Sequence, residues 1–237
     1  MTTRTNLRRV VVFLALATAT GLAGCAANDA DAVADAVAEA GPRWLECGEA
    51  DGAPIYSQIE VGELKTMNIA CQGKSGAPVL LLHGFPDYAY GWHKVMSELA
   101  ADHIVIAPDQ RGYHTTWGPD DVAGFHIDKL VDDVKALIER ATATKDGTAA
   151  PGEMILVGHD WGGAVAWTFA SRHPDLIVKL VIMNAPHPDI FMREYNDNPD
   201  QHEASSYMAF FNAPGSEAVL KANDHQLLID AFGDALT

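Results

Sequence analysis

The most reactive arrangement in the sequence is an aspartate placed between small residues. Asp160 stands in the segment Gly158-His159-Asp160-Trp161-Gly162-Gly163, after the apolar run 154–157 and directly before a helical pattern. Small neighbours allow the tight strand-to-helix turn of a nucleophile elbow, which presents the middle side chain at a helix N-terminus. An Asp with the ordinary pKa of about 3.9 is ionised at neutral pH and needs no base to attack carbon. Taken alone, Asp160 is explained more simply as a helix N-cap.

A second segment favours the nucleophile over the cap. The apolar run 79–82 ends in His83-Gly84-Phe85-Pro86. Two such motifs at the ends of two parallel strands, in this order along the chain, are much more specific than either motif alone. Together they predict that Asp160 takes part in chemistry.

Alternating strand and helix patterns position these segments. The sequence predicts two short strands at 55–61 and 65–71, around Gly62-Glu63, and further strands at 78–82, 103–107, 154–157 and 177–183. The run 78–82 is continuously apolar, which is typical of a strand that is buried on both faces. Helices are predicted at 91–101 and 162–172, and the clearest amphipathic helix spans 127–138. This alternation predicts an α/β fold with a mostly parallel, doubly wound sheet.

The chain resembles the α/β-hydrolase superfamily, and within it the branch of epoxide hydrolases and haloalkane dehalogenases. The resemblance runs from about residue 52 to the end and rests on the two segments above, on 108–113 and 184–188, and on 206–215, which is similar to the start of the epoxide hydrolase cap. The loop after 113 departs from the usual pattern, since His114 and Thr116 stand where Gly and Ser are common. Fluoroacetate dehalogenases fit less well, because they carry Arg at the position of Trp161.

This resemblance implies roles for individual residues. Asp160 would attack an epoxide or a halogen-bearing carbon and form an alkyl ester, and the backbone N–H groups of Phe85 and Trp161 would stabilise the oxyanion when water hydrolyses that ester. Tyr207 would donate a hydrogen bond to the epoxide oxygen, although without the family a packed helix aromatic explains Tyr207 equally well. In a dehalogenase the indole N–H of Trp161 would instead hold the halide. The remaining motif residues support the turn and the oxyanion loop: His83, Gly84, Pro86, Gly158, His159 and Gly162.

Hydrolysis of the ester requires a His oriented by an acid, and this fold places both beyond the cap. The 237 residues end inside the cap pattern, and His187, His202 and His225 do not occupy the expected place of that His. We therefore expect a C-terminally truncated chain without the last two core strands, in which the ester forms but its hydrolysis stalls. Strand 177–183 would then be an exposed apolar edge.

The N-terminus predicts export and lipid attachment. Residues 1–24 combine three arginines with the apolar run 10–17, and they lead into Leu22-Ala23-Gly24-Cys25, which resembles a bacterial lipobox. Cys25 would carry a lipid and anchor the protein in the cell envelope, at the outer membrane or at the periplasmic face of the inner membrane. An ordinary signal peptide with a chance Cys is the alternative. Residues 25–51 are interpreted as an Ala/Asp-rich solvated tether, 52–188 as the hydrolase core and 189–237 as the beginning of the helical cap.

Composition limits the other function classes. The formal net charge of -16 and the pI of about 4.8 speak against a nucleic acid partner. Neither a metal nor another cofactor is expected, since the sequence contains no Cys/His cluster and no phosphate-binding loop. Cys47 and Cys71 either form a disulfide bond or remain free thiols. The function hypotheses are a hydrolase of small apolar epoxides, a haloalkane dehalogenase, and a non-catalytic envelope lipoprotein or incomplete gene product; the oligomeric state is left open.

Overall fold

Six strands form one sheet in the computed structural model, which describes residues 45–142 and 154–232. In chain order they are β1 (Ile55–Val61), β2 (Leu64–Gln72), β3 (Ala77–Leu82), β4 (His103–Pro108), β5 (Met154–His159) and β6 (Ile177–Met183), and their spatial order is β1-β2-β4-β3-β5-β6. β3 pairs in parallel with β4 and β5, and β5 pairs in parallel with β6, whereas β2 is antiparallel to β1 and β4. The predicted mostly parallel α/β sheet is confirmed.

Helices pack on both faces of this sheet. Within the first compact unit, which ends at Pro186, the helices are α1 (His93–Leu99), α2 (Ile127–Thr142) and α3 (Trp161–Arg172). Successive side chains of a strand point to opposite faces. Accordingly, Leu80 belongs to an apolar cluster that includes α2 and α3 residues, whereas Leu81 belongs to a second cluster that includes α1 residues. The sheet is therefore doubly wound, with its core divided between the two faces.

The parallel strands bring three polar segments to one edge of the sheet. β3, β4 and β5 run in the same direction, so their carboxyl ends lie side by side. His83 follows β3, Asp109 follows β4 and Asp160 follows β5. In parallel α/β sheets this edge is the usual position of a functional site.

The segment before β1 is tied to β2. A disulfide bond joins Cys47 to Cys71, 24 residues further along, which settles the alternative that the sequence left open. Gly48 N donates to Cys71 O, and the side-chain amide of Gln72 donates to carbonyl groups of residues 49, 50 and 52. Residues 45–51 are thus held against the sheet. The sequence instead predicts a solvated tether that extends to residue 51. The predicted signal peptide and residues 25–44, with the predicted lipidation site Cys25, lie outside the described residues.

The second compact unit spans His187–Thr237 and is helical in its described part. Its helices are α4 (Pro188–Asp197), α5 (Pro199–Ala204), α6 (Ser206–Phe211) and α7 (Ser216–Phe232). α4 and α5 each begin at a proline, and the preceding His187 and Asn198 cap them through their side chains. α7 is interrupted at residues 222–225, where three successive residues have positive φ. Among the described helices of the whole chain, none is long and apolar enough to cross a membrane.

One helix begins later than the sequence predicts. A 3₁₀ turn occupies Ala89–Trp92, and α1 follows it at His93–Leu99. The helix predicted at 91–101 is therefore found, but it starts two residues later and ends two residues earlier. A β-carbon at Gly91 would lie 2.0 Å from a carboxylate oxygen of Asp87, so a larger residue at this point would displace the Asp87 side chain. β6 has the predicted bounds, and within the described residues its only paired strand is β5.

Candidate active site

Asp160 lies in a strained turn between β5 and α3. Its backbone has φ 52° and ψ -121°, a region that residues other than glycine rarely adopt. Backbone hydrogen bonds hold the turn: Asp160 N donates to Met183 O over 3.1 Å, and Gly163 N donates to Asp160 O over 2.9 Å. Contacts with β6 and α3 therefore maintain a conformation that the residue would not adopt by itself.

Glycine allows this turn to pack closely. A β-carbon at Gly158 would lie 2.4 Å from the carbonyl oxygen of Gly162, and a β-carbon at Gly162 would lie 2.3 Å from that of Leu82. Both distances are far below ordinary van der Waals contact, so α3 can begin against the end of β3 only because these positions lack side chains. The glycines that the sequence assigned to the turn thus have a steric function.

The loop after β3 contacts the Asp160 carboxylate. Phe85 N donates a hydrogen bond to Asp160 Oδ1 over 3.0 Å. Gly84 lies against the same side chain, since a β-carbon at this position would be 2.5 Å from Asp160 Cβ. The next peptide bond, Phe85–Pro86, is cis. The two segments that the sequence singled out therefore meet at one carboxylate.

The start of α3 provides a second backbone N–H group near Asp160. Trp161 is the first residue of α3 and directly follows Asp160. The first N–H groups of a helix lack intrahelical partners and form the positive end of the helix dipole, which favours negative charge. The side chain of Trp161 is half-exposed. The predicted pair of oxyanion donors thus comes from two different elements, the loop after β3 and the N-terminus of α3.

His83 orients the peptide group that binds Asp160. Gln110 N donates to His83 Nε2 over 2.9 Å, so the ring hydrogen is on Nδ1, which donates to Gly84 O over 2.8 Å. Gly84 O and Phe85 N belong to one peptide group, whose N–H faces Asp160. His83 is buried, and burial lowers its pKa below the ordinary value, which favours this neutral form.

Tyr113 is a neighbour of the site to which the sequence analysis assigned no role. Its ring packs edge-on against His83, with the ring centroids 4.7 Å apart. Burial, with a further contribution from the negative charge of Asp160, raises the pKa of Tyr113 to about 12. The phenol therefore stays protonated at neutral pH. Tyr113 belongs to segment 108–113, which carries part of the family resemblance, and this is the sequence signal that could have identified it as a neighbour of the site.

A buried ion pair anchors the loop that contains Gln110 and Tyr113. Arg111 Nε lies 2.8 Å from Asp133 Oδ2, and Arg111 Nη2 lies 2.7 Å from Asp133 Oδ1. Arg111 Nη1 also donates to Gly124 O over 3.1 Å. The hydrogen bonds to Asp133 raise the pKa of the Arg111 guanidinium. This pair fixes the loop to α2 and thereby supports the contacts of His83.

The remaining predicted site residues lie in other places. His159 ends β5 and is half-buried. Tyr207 lies on α6, in the second unit, where its side chain is 53% exposed and its ring contacts Phe211 edge-on at 5.8 Å. Of the three histidines considered from the sequence as the missing base, His187 caps α4, His202 follows in α5, and His225 lies in the interruption of α7.

Comparison with known proteins extends these observations. The chain matches the family model for the alpha/beta hydrolase fold over residues 77–212. It is 41% identical over 171 residues to the AB hydrolase superfamily protein YfhM of Bacillus subtilis (strain 168), which covers 71% of this chain and 57% of that protein. It is 34% identical over 183 residues to epoxide hydrolase 4 of Homo sapiens, covering 76% of this chain and 48% of that protein. The chain spans about half the length of these curated relatives.

A solved structure gives the same result. A mutant epoxide hydrolase from Bacillus megaterium, complexed with its diol product, matches with a TM-score of 0.67 and 32% identity, over 76% of this chain and 60% of that chain. The family model covers more than half of the chain and includes β3, the Asp160 turn and α6. The chain therefore belongs to the α/β-hydrolase fold family, and the proteins to which it is similar include epoxide hydrolases.

Proposed function

We propose that Asp160 is the nucleophile of an epoxide hydrolase and forms an alkyl ester with the substrate. The observation that carries this proposal is the hydrogen bond from Phe85 N to Asp160 Oδ1. It holds one carboxylate oxygen in place and directs attack to the other, Oδ2. The strained turn adds support, because backbone strain of this kind is concentrated at functional sites.

In the proposed first step, Asp160 Oδ2 forms a bond to an epoxide carbon. The ring C–O bond breaks, and its electron pair goes to the epoxide oxygen, to which the Tyr207 hydroxyl donates a hydrogen bond. The carboxylate enters this step ionised, so no base is required. The product is an ester between Asp160 and the opened substrate, whose alkoxide takes up a proton from solvent.

In the second step, water attacks the carbonyl carbon of that ester. Negative charge then develops on an Asp160 oxygen, where the N–H groups of Phe85 and Trp161 stabilise it. The bond between this carbon and the substrate oxygen then breaks, so that the diol leaves and Asp160 is again a carboxylate. One proton of the water goes to the diol and the other to solvent. Phe85 N already contacts Oδ1 before the reaction, so this donor needs no reorganisation. We assign no residue of this chain as the base that activates the water.

The proposed substrates are small apolar epoxides. Human epoxide hydrolase 4 and the Bacillus megaterium enzyme are both named epoxide hydrolases, and the latter structure contains a diol product. These names support an epoxide rather than a haloalkane as the electrophile.

Mass spectrometry of the Asp160 peptide tests the proposal. After incubation with styrene oxide in ¹⁸O-labelled water, the peptide should gain the mass of the epoxide. If the ester is hydrolysed, the peptide should instead contain ¹⁸O, because water oxygen enters the carboxylate. Asp160→Asn is the matched control and should show neither change. An unmodified and unlabelled Asp160 in the wild-type protein would overturn the proposal.

We also propose that the protein is exported and anchored by a lipid on Cys25. The disulfide bond between Cys47 and Cys71 supports this, because such bonds persist mainly in oxidising compartments outside the cytosol. Growth of a bacterial host with labelled palmitate should label the wild-type protein and leave Cys25→Ser unlabelled. Equal labelling of the two proteins would contradict lipid attachment at this residue.

A further inference from the structure

Asp109 is a buried carboxylate at the edge of the sheet that carries Asp160, and it has no role in the proposed reaction. It directly follows β4, and it is fully buried. Burying a carboxylate costs free energy unless hydrogen bonds satisfy its oxygens. The partners of Asp109 therefore indicate which segments it holds in place.

Hydrogen bonds to both oxygens of Asp109 join three segments. Ala89 N donates to Asp109 Oδ1 over 2.7 Å, and Asn68 Nδ2 donates to Asp109 Oδ2 over 2.7 Å. His114 Nδ1 lies 2.8 Å from the same Oδ2. Distances of 2.7 Å are at the short end of the range for N–H···O hydrogen bonds. Asp109 thus links β2, the loop after β4 and the 3₁₀ turn that begins at Ala89.

The backbone of Asp109 is fixed as well. Asp109 N donates to Asn68 O over 2.8 Å, and Asp109 O accepts from Thr116 Oγ1 over 2.7 Å. Asn68 N in turn donates to Thr116 Oγ1 over 2.9 Å. Asn68 therefore contacts Asp109 through both main chain and side chain. The carboxylate consequently has a fixed position relative to β2, which lies inside the sheet between β1 and β4.

Asp109 and Gln110 hold the two ends of segment 83–89, which includes the loop after β3. At the start of the segment, Gln110 N donates to His83 Nε2 and Gln110 Nε2 donates to His83 O. At its end, Ala89 N donates to Asp109 Oδ1, and Ala89 is fully buried. Two consecutive residues after β4 therefore determine where both ends of this segment lie.

Phe85 lies between these two attachments. Its N–H donates to Asp160 Oδ1 over 3.0 Å, and a turn follows in which Asp87 N donates to Gly84 O over 3.1 Å. A donor stabilises developing charge best when its position is fixed before the reaction. If the end at Ala89 were released, segment 83–89 would stay attached only at its start, and the Phe85 N–H would lose part of its support.

We propose that Asp109 is a positioning residue, which fixes the end of segment 83–89 and thereby keeps the Phe85 N–H on the Asp160 carboxylate. This inference rests on the proposed function, in which Asp160 is the nucleophile and later carries the oxyanion. Asp109 acts through segment 83–89 rather than on the substrate. Its loss should therefore lower the rate constant of ester formation at saturating epoxide, while the epoxide concentration that gives half of this rate stays the same.

Two variants of Asp109 test the proposal. Asp109→Ala leaves the buried N–H of Ala89 without its acceptor, and ester formation at saturating styrene oxide should slow about tenfold or more. Asp109→Asn retains a carbonyl oxygen for Ala89 N, and Asn68 can turn its amide oxygen towards the new NH₂ group. This conservative variant should therefore form the ester at nearly the wild-type rate. Timed mass spectrometry of the Asp160 peptide over a range of styrene oxide concentrations measures both quantities.

Gln72→Ala is the matched control for a loss of stability. Gln72 is also a fully buried polar residue of β2, and its amide donates to carbonyl groups of residues 49, 50 and 52. It pairs with Val105, whereas Asn68 and Asp109 lie near the other end of β4. The control should unfold at a lower denaturant concentration than the wild type but form the ester at the wild-type rate.

Hydrogen exchange of the Phe85 amide, followed by NMR, tests the positioning without the reaction. Exchange should be about tenfold or more faster in Asp109→Ala than in Asp109→Asn and Gln72→Ala. If Asp109→Ala does not fold, replacement of Ala89 by lactic acid removes the same hydrogen bond, because an ester oxygen then takes the place of the Ala89 N–H. The same slower ester formation and faster exchange are expected of that protein.

Equal rates of ester formation in Asp109→Ala and Asp109→Asn would overturn the proposal, and so would an equal loss of rate in Gln72→Ala. Wild-type exchange of the Phe85 amide in a protein that lacks the Ala89 hydrogen bond would also overturn it. A wild-type protein that forms no ester at Asp160 would instead overturn the proposed function. The exchange of the Phe85 amide would still decide whether Asp109 holds this N–H in place.

Discussion

Gln110 N donates a hydrogen bond to His83 Nε2 over 2.9 Å, and this contact determines which ring nitrogen of His83 carries the hydrogen. The ring hydrogen therefore lies on Nδ1 and binds Gly84 O, and the same peptide group donates from Phe85 N to Asp160. Three successive hydrogen bonds thus connect the loop after β4 with the carboxylate after β5. The position of Asp160 depends on a residue that it does not contact.

Replacing His83 with Ala should disturb this connection. Gly84 O loses a donor and Gln110 N loses its acceptor, so the free energy of unfolding should fall by about 1–3 kcal/mol. The rate of ester formation should fall about tenfold or more, because the carboxylate is less well oriented. His83→Asn is the control, since its amide nitrogen can replace Nδ1 as the donor to Gly84 O. Denaturant unfolding and timed mass spectrometry measure both quantities, and an equal loss of rate in the two variants would contradict the positioning role.

The same hydrogen bond should make stability depend on pH. Burial lowers the pKa of His83 in the folded protein, and a proton on Nε2 would face the N–H of Gln110. The unfolded chain takes up this proton near the ordinary pKa of about 6.5 and the folded protein only at lower pH, so the free energy of unfolding should decrease as the pH falls below about 6.5. Below the pKa of His83 in the folded protein both states carry the proton, so His83 causes no further decrease in the free energy of unfolding. Asn does not titrate in this range. If the free energy of unfolding depended on pH equally in the wild type and in His83→Asn, His83 would not be the cause of the pH dependence.

Gly84→Ala should displace the Asp160 carboxylate. The new methyl carbon would lie 2.5 Å from Asp160 Cβ and 2.6 Å from Oδ1, so either the loop or the side chain must move. We expect ester formation to slow about a hundredfold, since small misplacements have effects of this size. Gly52→Ala is the matched control, because its β-carbon meets no atom closer than 3.6 Å. Adduct formation at the wild-type rate in Gly84→Ala would contradict the proposed geometry.

Asp160→Gly should be more stable than Asp160→Ala, although both variants remove the nucleophile. At φ 52° and ψ -121° glycine has no steric strain, and the gain should exceed the entropic cost of glycine by about 1 kcal/mol. Asp160→Ala also lacks the carboxylate but keeps the strain, so it should not gain this stability. Thermal unfolding of the two variants gives the comparison. A lower stability for Asp160→Gly than for Asp160→Ala would show that the turn is not strained.

Loss of the disulfide bond should destabilise the protein without affecting the reaction. Cys47 and Cys71 are 24 residues apart, and closing a loop of this length is worth about 3 kcal/mol. The double variant Cys47→Ser/Cys71→Ser should therefore unfold at a lower denaturant concentration than the wild type, and a reducing agent should not change it further. A wild-type protein whose unfolding is insensitive to reductant would contradict the prediction.

Much of the fold follows from local sequence patterns. Every predicted strand is found with bounds that differ by no more than two residues. Buried strands such as β3 are the easiest to recognise, because a strand buried on both faces is an unbroken apolar run. The parallel direction follows from the alternation with helices. The meeting of Asp160 with Phe85 is likewise a consequence of local patterns, since both follow neighbouring parallel strands.

Contacts between distant segments do not follow from such patterns. Whether Cys47 lies near Cys71 depends on how the segment before β1 crosses β2, and the sequence left both alternatives open. From the sequence alone His114 is only a departure from the usual loop pattern, because its partner Asp109 becomes a neighbour through the loop conformation. The order of strands in the sheet is also non-local. These features depend on tertiary geometry that no short run of residues encodes.

The disulfide bond also sets the path of mechanical force through the molecule. A pull from the N-terminal side would pass from Cys47 directly to Cys71 in β2, so β1 would carry no tension while the bond is intact. The 24 residues between the two cysteines would then be unable to extend, whereas after reduction they would release about 80 Å of chain, at about 3.4 Å per residue. A molecule held by its N-terminus would therefore begin to yield at the C-terminal end of β2 rather than by peeling away its outermost strand.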